Sequence, residues 1–294
     1  MKALPRVFLV WLLIPLVLCL GCQKQETESP TSGILRFVCA ESVAPVIQKE
    51  AAEFQRLYTK ASIAFDTTTT REALIKLFNK ETAMVIISRE VNAEEAASLA
   101  AEKYSPGTFA LAKVGIAVIV NPDNPVRELN LDQVGGIYSG RISRWDQVGG
   151  GGGKITPLAM PRNSGTTEVF LRTIGVDTTL SGALRVLPGS REIADLVAKD
   201  PLSVGFVGMN WLSDRVRALA LAEDASNQFI TIHQASVHQG DYPLVQTIYA
   251  ITTAGAYTPA SGFISFLASA PGQKIFLDSG LVPVTMPVKL IRID

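Results

Sequence analysis

The reading of this chain turns on one stretch, Pro161-Arg162-Asn163-Ser164-Gly165-Thr166-Thr167-Glu168-Val169-Phe170. A short apolar run, Ile155 to Met160, precedes it, and an apolar-periodic segment follows. That order predicts a strand, a tight turn rich in small hydroxyl residues, and a helix start. Ser164 or Thr166 is placed to cap the helix. The N–H groups of a first helical turn have no intrahelical partners, and with the positive end of the helix dipole they suit an anion. Arg162 adds a planar guanidinium that matches an oxyanion. Alone, the same residues describe an ordinary helix cap beside a surface arginine, so the rest of the chain must decide.

Working outward, strands and helices alternate. Ile34 to Cys39 reads as a buried strand, Val43 to Tyr58 as a helix, Ala61 to Phe65 as a second strand, and Glu72 to Phe78 as a helix. Ala83 to Ile87 reads as a third strand, residues 92–102 as a helix, and Phe109 to Val120 as a long apolar strand. Short helical pieces follow at Leu131 to Tyr138 and at Trp145, then later helices and a strand at Val204 to Phe206. This is the pattern of an α/β protein. Two more strand-to-helix turns carry hydroxyls: Glu41-Ser42-Val43-Ala44-Pro45 and Thr67-Thr68-Thr69-Thr70. Open α/β sheets bind ligands at the carboxyl ends of their strands. Three such turns and an arginine suggest a cage of donors around a desolvated oxyanion, although the threonine run alone reads as a turn capped at Thr70. Gly149 to Gly153 lacks Walker-loop spacing and reads as a flexible surface loop.

The amino terminus points outside the cytoplasm. Lys2 and Arg6 flank the start, Val7 to Leu20 is almost wholly apolar, and Gly21-Cys22 precedes a polar run. This predicts a secretory signal over residues 1–22 and a polar tether over 23–32. The apolar run is short for a membrane span. Cys22 resembles the lipidated cysteine of a bacterial lipobox, with Cys19 where that pattern usually has leucine. A plain signal peptide and an uncleaved anchor are the alternatives. Of three cysteines only Cys39 lies in the folded part, which leaves it no internal disulfide partner. The two histidines, His233 and His238, share neither a helix face nor a strand face, and no metal or cofactor is expected. With 27 acidic and 27 basic residues the net charge is zero, which argues against a nucleic-acid partner.

These turns resemble those of the periplasmic phosphate-binding proteins of ABC transporters, in the bilobal solute-binding superfamily. Ser42-Val43-Ala44-Pro45 is similar to that family's hydroxyl turn before a proline. Thr67–Thr70 and Ile87-Ser88-Arg89 stand where it has its second and third turns. Arg162, Ser164-Gly165-Thr166 and Phe170 match its Arg…Ser-Gly-Thr…Phe motif. Ile137-Tyr138, Gly140 and Trp145-Asp146 resemble its I(Y/F)xGxixxWxd signature, and Gly280-Leu281-Val282-Pro283 its carboxyl end. The resemblance spans nearly the whole mature chain. It implies an α/β, two-lobed periplasmic-binding-protein fold of type II with the ligand cleft between the lobes. Lobe 1 would comprise residues 33–113 plus 242–294, and lobe 2 residues 114–241. It also implies a monomer that binds inorganic phosphate or a similar oxyanion through Ser42, Val43, Thr68, Thr69, Arg89, Arg162, Ser164, Gly165 and Thr166. The partner would be an ABC permease, and the location the periplasm or cell surface, with Cys22 as the lipid anchor.

The chain departs from the family at three points. Its second turn is all threonine rather than glycine-rich, Arg162 lies close to Ser-Gly-Thr, and Arg89 replaces the aspartate that accepts a phosphate proton in well-known members. Glu41 and Asp66 are the substitute acceptors. A second arginine would make the cage more permissive toward fully deprotonated anions, so a sulfate-like oxyanion is one alternative ligand. A sensor or adhesive lipoprotein of the same fold is another alternative. Catalysis is disfavoured, because no G-x-S-x-G elbow accompanies the serine and neither histidine lies in a strand-to-helix turn.

Overall fold

A computed structural model describes residues 28–101, 105–176, 180–225 and 228–284. The expected signal segment and Cys22 lie outside the described residues. Along the chain come β1 (Ser32–Ala40), α1 (Ala44–Leu57), β2 (Lys60–Thr68), α2 (Thr70–Phe78), β3 (Met84–Ile87) and α3 (Ala93–Ala101). Then follow β4 (Gly107–Val120), β5 (Glu128–Asn130), α4 (Leu131–Ser139), β6 (Thr156–Ala159), α5 (Gly165–Thr173), β7 (Arg185–Val186), α6 (Ser190–Val197) and β8 (Ser203–Gly208). The chain continues through β9 (Arg217–Ala218), β10 (Ala220–Ala222), α7 (Gln234–Gln239), β11 (Val245–Thr252), α8 (Pro259–Leu267), α9 (Ala270–Asp278) and β12 (Val282–Pro283).

The main sheet runs β2-β1-β3-β11-β4-β8-β6-β7. β1 is parallel to β2 and β3, while β11 is antiparallel to β3 and β4. β3, in the sheet interior, is wholly apolar and buried, whereas β2 at the edge alternates exposed and partly buried residues. β4 changes partners along its length: Gly107 to Gly115 pairs with β11, and Ile116 to Val120 pairs with β8. It thereby joins two hydrophobic cores. One holds Leu35, Phe37, Phe54, Met84, Ile248, Phe263 and Phe276, with a satellite of Leu74, Leu77 and Ile87. The other holds Ile119, Tyr138, Trp145, Leu158, Phe170, Ile193 and Phe206. α1 and α5 each turn an apolar stripe to their own core, at Val46, Ile47, Ala51 and Phe54 in one and at Val169, Phe170 and Leu171 in the other.

Some expectations shift. β2 extends to Thr68, so the threonine run is half strand, and Thr69 rather than Thr70 caps α2 by accepting from the Glu72 N–H at 3.4 Å. The end of the expected tether is packed: Ser32 opens β1, and a Cβ added at Gly262 of α8 would lie 1.7 Å from the Pro30 carbonyl oxygen. The glycine run is a folded turn, with the Gly150 N–H bonding the Trp145 carbonyl at 2.8 Å and Gly149 at φ 78°. His233 caps α7, its Nδ1 accepting from the Ser236 N–H at 3.0 Å. Among the described residues no helix is long and apolar enough to cross a membrane.

Candidate functional site

The carboxyl ends of β1, β2 and β3 lie on one edge of the parallel sheet, so their turns converge. Ser42 and Val43 are buried at the first turn. Val43 occupies the N-cap position of α1 without a side-chain cap. The Ser42 carbonyl accepts from Trp211 Nε1 at 2.9 Å and from Asn210 Nδ2 at 3.3 Å, which ties the turn to the chain just after β8. At the second turn only Thr70 points inward and is fully buried. Its hydroxyl lies 3.2 Å from that of Ser88, at the end of β3, and accepts from the Ser88 N–H at 3.4 Å. Thr68 and Thr69, the two threonines expected to bind, are partly exposed and engage the first turn of α2. Thr68 donates to Glu72 at 3.0 Å, and Thr69 is the cap.

The first turn of α5 meets these residues from the other core. A Cβ added at Gly165 would lie 2.5 Å from Thr70 Oγ1 and 2.6 Å from Ser88 Oγ, so only glycine permits this approach. Ser164 occupies the N-cap position but does not cap α5. Its hydroxyl donates to Glu41 Oε1 at 3.4 Å, with Met160 Sδ also in reach at 3.8 Å. Neither Ser164 nor Thr166 caps the turn as expected; Thr166 Oγ1 accepts from Gln246 Nε2 at 3.2 Å. The first-turn N–H groups thus face the junction without a hydroxyl cap of their own. Arg162 is exposed on the turn before Ser164, outside the buried cluster.

Arg89 is buried but is not aimed at the hydroxyl turns. Its two terminal nitrogens donate to Glu95 at 2.8 Å each, and Nε pairs with Glu168 of α5. The permissive two-arginine cage is therefore not what the geometry presents. Burial works to raise the Glu95 carboxyl, but bonds from Arg89 and the Asn92 N–H outweigh it and hold Glu95 below the usual carboxylate range. Burial raises Glu168 against the pull of Arg89. Burial pushes the Glu41 carboxyl up to about 7, the Ser164 hydrogen bond works against that, and the charge of Glu192 on α6 adds to it. Its Oε2 is buried and has no hydrogen-bond partner among the described residues. Asp66, the other acceptor considered, is exposed on β2.

Sequence reasoning thus found Ser42, Val43, Ser164, Gly165 and Thr166 at one junction. It passed over Thr70, Ser88 and Gln246. Ser88 stood inside a quoted motif, whereas Gln246 lies on a strand that returns from far along the chain and carries no local signal. Among the described residues no group of three His, Cys, Asp or Glu side chains is arranged to hold a metal ion.

Comparison with known proteins agrees with this architecture. The family model described as "PBP superfamily domain" matches residues 24–271. The phosphate-binding protein PstS of Bacillus subtilis (strain 168) is 27% identical over 259 residues, covering 88% of this chain and 83% of the relative. PstS of Pseudomonas aeruginosa PAO1 is 23% identical over 282 residues, covering 90% and 87%. Among solved structures, a Clostridium perfringens protein with bound phosphate superimposes with a TM-score of 0.79 at 24% identity, covering 86% of this chain and all of that one. An ABC-type phosphate transport receptor from Vibrio cholerae gives a TM-score of 0.68 at 23% identity, with 86% and 100% covered. The fold is the two-lobed α/β architecture.

Proposed function

The chain belongs to the PBP superfamily, and on that premise we propose that it captures inorganic phosphate outside the cytoplasm for an ABC importer. The observation that carries the reading is the junction itself. The uncapped first turn of α5, with Ser164, Gly165 and Thr166, faces the buried Ser42 turn and the Thr70–Ser88 hydroxyl pair. Neutral donors converging on one point suit a desolvated oxyanion. The names of the relatives support phosphate as that oxyanion. The two cores support a two-lobed division close to residues 33–113 with 242–294 and residues 114–241, with Tyr242, Leu244 and Val282 packed in the second core and Val114 in the first. The protein is read as a monomeric binding protein rather than an enzyme, anchored by a lipid on Cys22 and engaging a permease.

Of the residues expected to bind, Ser42, Val43, Ser164, Gly165 and Thr166 remain in this reading, joined by Thr70 and Ser88. Glu41 is the candidate selectivity residue. A neutral Glu41 donates a hydrogen bond to an anion, while an ionised one repels it unless the anion brings a proton. Hydrogen phosphate brings one and sulfate does not. Sulfate affinity should therefore fall as pH rises through about 7, where Glu41 ionises, while phosphate remains bound.

Isothermal titration of the protein, unfolded and refolded to strip carried-over ligand, tests this with phosphate and sulfate in parallel. Phosphate binding is expected, weakened roughly tenfold to a hundredfold in Ser164→Ala and in Thr166→Val, as for loss of a hydrogen bond to a charged group. In Glu41→Gln the pH step in sulfate affinity should vanish. Arg162→Ala reports whether the exposed arginine reaches the anion. Absence of heat with both anions overturns the capture reading. It would favour a sensor or adhesive lipoprotein of the same fold, to which the pairing of Arg89 with Glu95 and Glu168 already lends some weight.

A further inference from the structure

Contacts from several elements of the other core converge on the first turn of α5. One face of α5 belongs to its own lobe, through Val169, Phe170 and Leu171. Its amino-terminal turn meets the other lobe repeatedly. The Asn163 carbonyl accepts from the Arg71 N–H at 3.2 Å, and the Ser164 hydroxyl reaches Glu41 at 3.4 Å. Gly165 lies against Thr70 and Ser88, and Thr166 accepts from Gln246 at 3.2 Å. Glu168 then pairs with Arg89 at 2.5 Å.

That last contact differs in kind from the others. Arg89 is a fixed receptor, its side chain only 3% exposed. It is pinned by two bonds to Glu95 and one to the Glu90 carbonyl, and Glu95 is held in turn by the Asn92 N–H at 2.9 Å. These partners all lie on the loop and helix that follow β3, so the guanidinium cannot follow α5 if the lobes separate. Glu168 rides on α5 and would leave with it. A neutral hydrogen bond exchanged for water on opening changes the balance little, whereas the attraction between Arg89, its side chain 3% exposed, and Glu168, 25% exposed, weakens as solvent reaches both groups.

We propose that the Arg89–Glu168 pair is a latch that holds the two lobes closed independently of any bound anion, so that ligand entry waits on its release. The identity of the ligand rests on the phosphate reading above; the closure does not. A latch shifts the open–closed equilibrium only by its own preference for the closed form. The apparent association rate then falls with the open fraction. Glu168→Gln removes the charge, keeps the shape, and leaves Arg89 paired with Glu95, so folding is not put at risk by a stranded guanidinium.

Small-angle X-ray scattering on ligand-stripped protein, with and without phosphate, reads the latch. Stopped-flow phosphate binding followed by tryptophan fluorescence gives the rate, with Trp211 at the cleft as reporter. The stripped parent should already show the compact radius of gyration, unchanged by phosphate. Stripped Glu168→Gln should be larger, contract on adding phosphate, and bind it roughly tenfold faster, a coupling of ordinary size between sites. Glu168→Asp, which keeps the charge, should stay nearer the parent. Equal radii for stripped parent and Glu168→Gln would overturn the latch. If the variant opens but neither form binds phosphate, the latch stands and the capture reading falls. If both bind phosphate at the same rate and with the same radii, the latch falls and capture stands.

Discussion

Glu50 shows how much one side chain can cost this fold. It faces inward from α1 with no solvent exposure, and neither carboxylate oxygen has a hydrogen-bond partner among the described residues. Burial pushes its pKa from 4.5 up to about 9, so the folded protein keeps a proton that the unfolded chain sheds. The group's penalty is absent below pH 4.5 and grows as pH rises toward 9, so stability must fall across that window. Denaturant midpoints at pH 5.5 and 8.5 check this. The parent should lose on the order of a few kcal/mol between them, and Glu50→Gln should lose much less. An equal loss in both proteins would assign the pH dependence elsewhere. Single-residue roles of this kind were only partly legible in the sequence. Residue type marked Ser42, Ser164, Gly165 and Thr166 as members of strand-to-helix turns. Four consecutive threonines, however, cannot be told apart without knowing where β2 ends, and only Thr70 faces Ser88. Arg89 announced a charge but not its partners, because Glu168 reaches it from α5.

Elements were more legible than residues, since apolar periodicity survives an error of a residue or two at each end. The segment Asn130 to Trp145 illustrates why. It carries a signature quite specific to the family, and its residues cap and pack the elements around α4. Asn130 and Gln133 form a reciprocal capping box that starts α4. Tyr138 buries its ring against Phe170 and Phe206 and donates to the Leu158 carbonyl at 3.0 Å. Gly140 ends the helix at φ 86°, a conformation that suits glycine, and Trp145 Nε1 donates to the Leu202 carbonyl at 3.0 Å. The motif therefore identifies a fold, and binding had to be argued from other residues. Asn130→Ala should cost about 1 kcal/mol through loss of the cap, seen as a lower denaturant midpoint with phosphate affinity unchanged. A fall in affinity at unchanged stability would instead place α4 in the ligand's reach.

At the scale of the whole molecule, the relation between the lobes was the part hidden from the sequence. It depends on β4 crossing between the cores and on contacts among residues about 80 to 170 positions apart, such as Gln246 with Thr166 and Trp211 with Ser42. Gly165 is where that relation is most exposed to test. The atoms a Cβ would meet, Thr70 Oγ1 and Ser88 Oγ, are short, buried and within hydrogen-bonding distance of each other, so they have little room to yield. Inside a single rigid core such an insertion typically costs 1–3 kcal/mol of stability, about 3–10 °C in the thermal midpoint of a chain this size. Here the clash lies between α5, packed in one core, and Thr70 and Ser88 beside another, and separation of those cores would relieve it without disturbing either. Gly165→Ala is therefore expected to enlarge the ligand-stripped protein in small-angle scattering and to weaken phosphate binding at least tenfold, while the thermal midpoint moves by less than about 3 °C. A large drop in the midpoint with no change in size would mean that the two cores yield as one body, and that the cleft does not open along the face of α5.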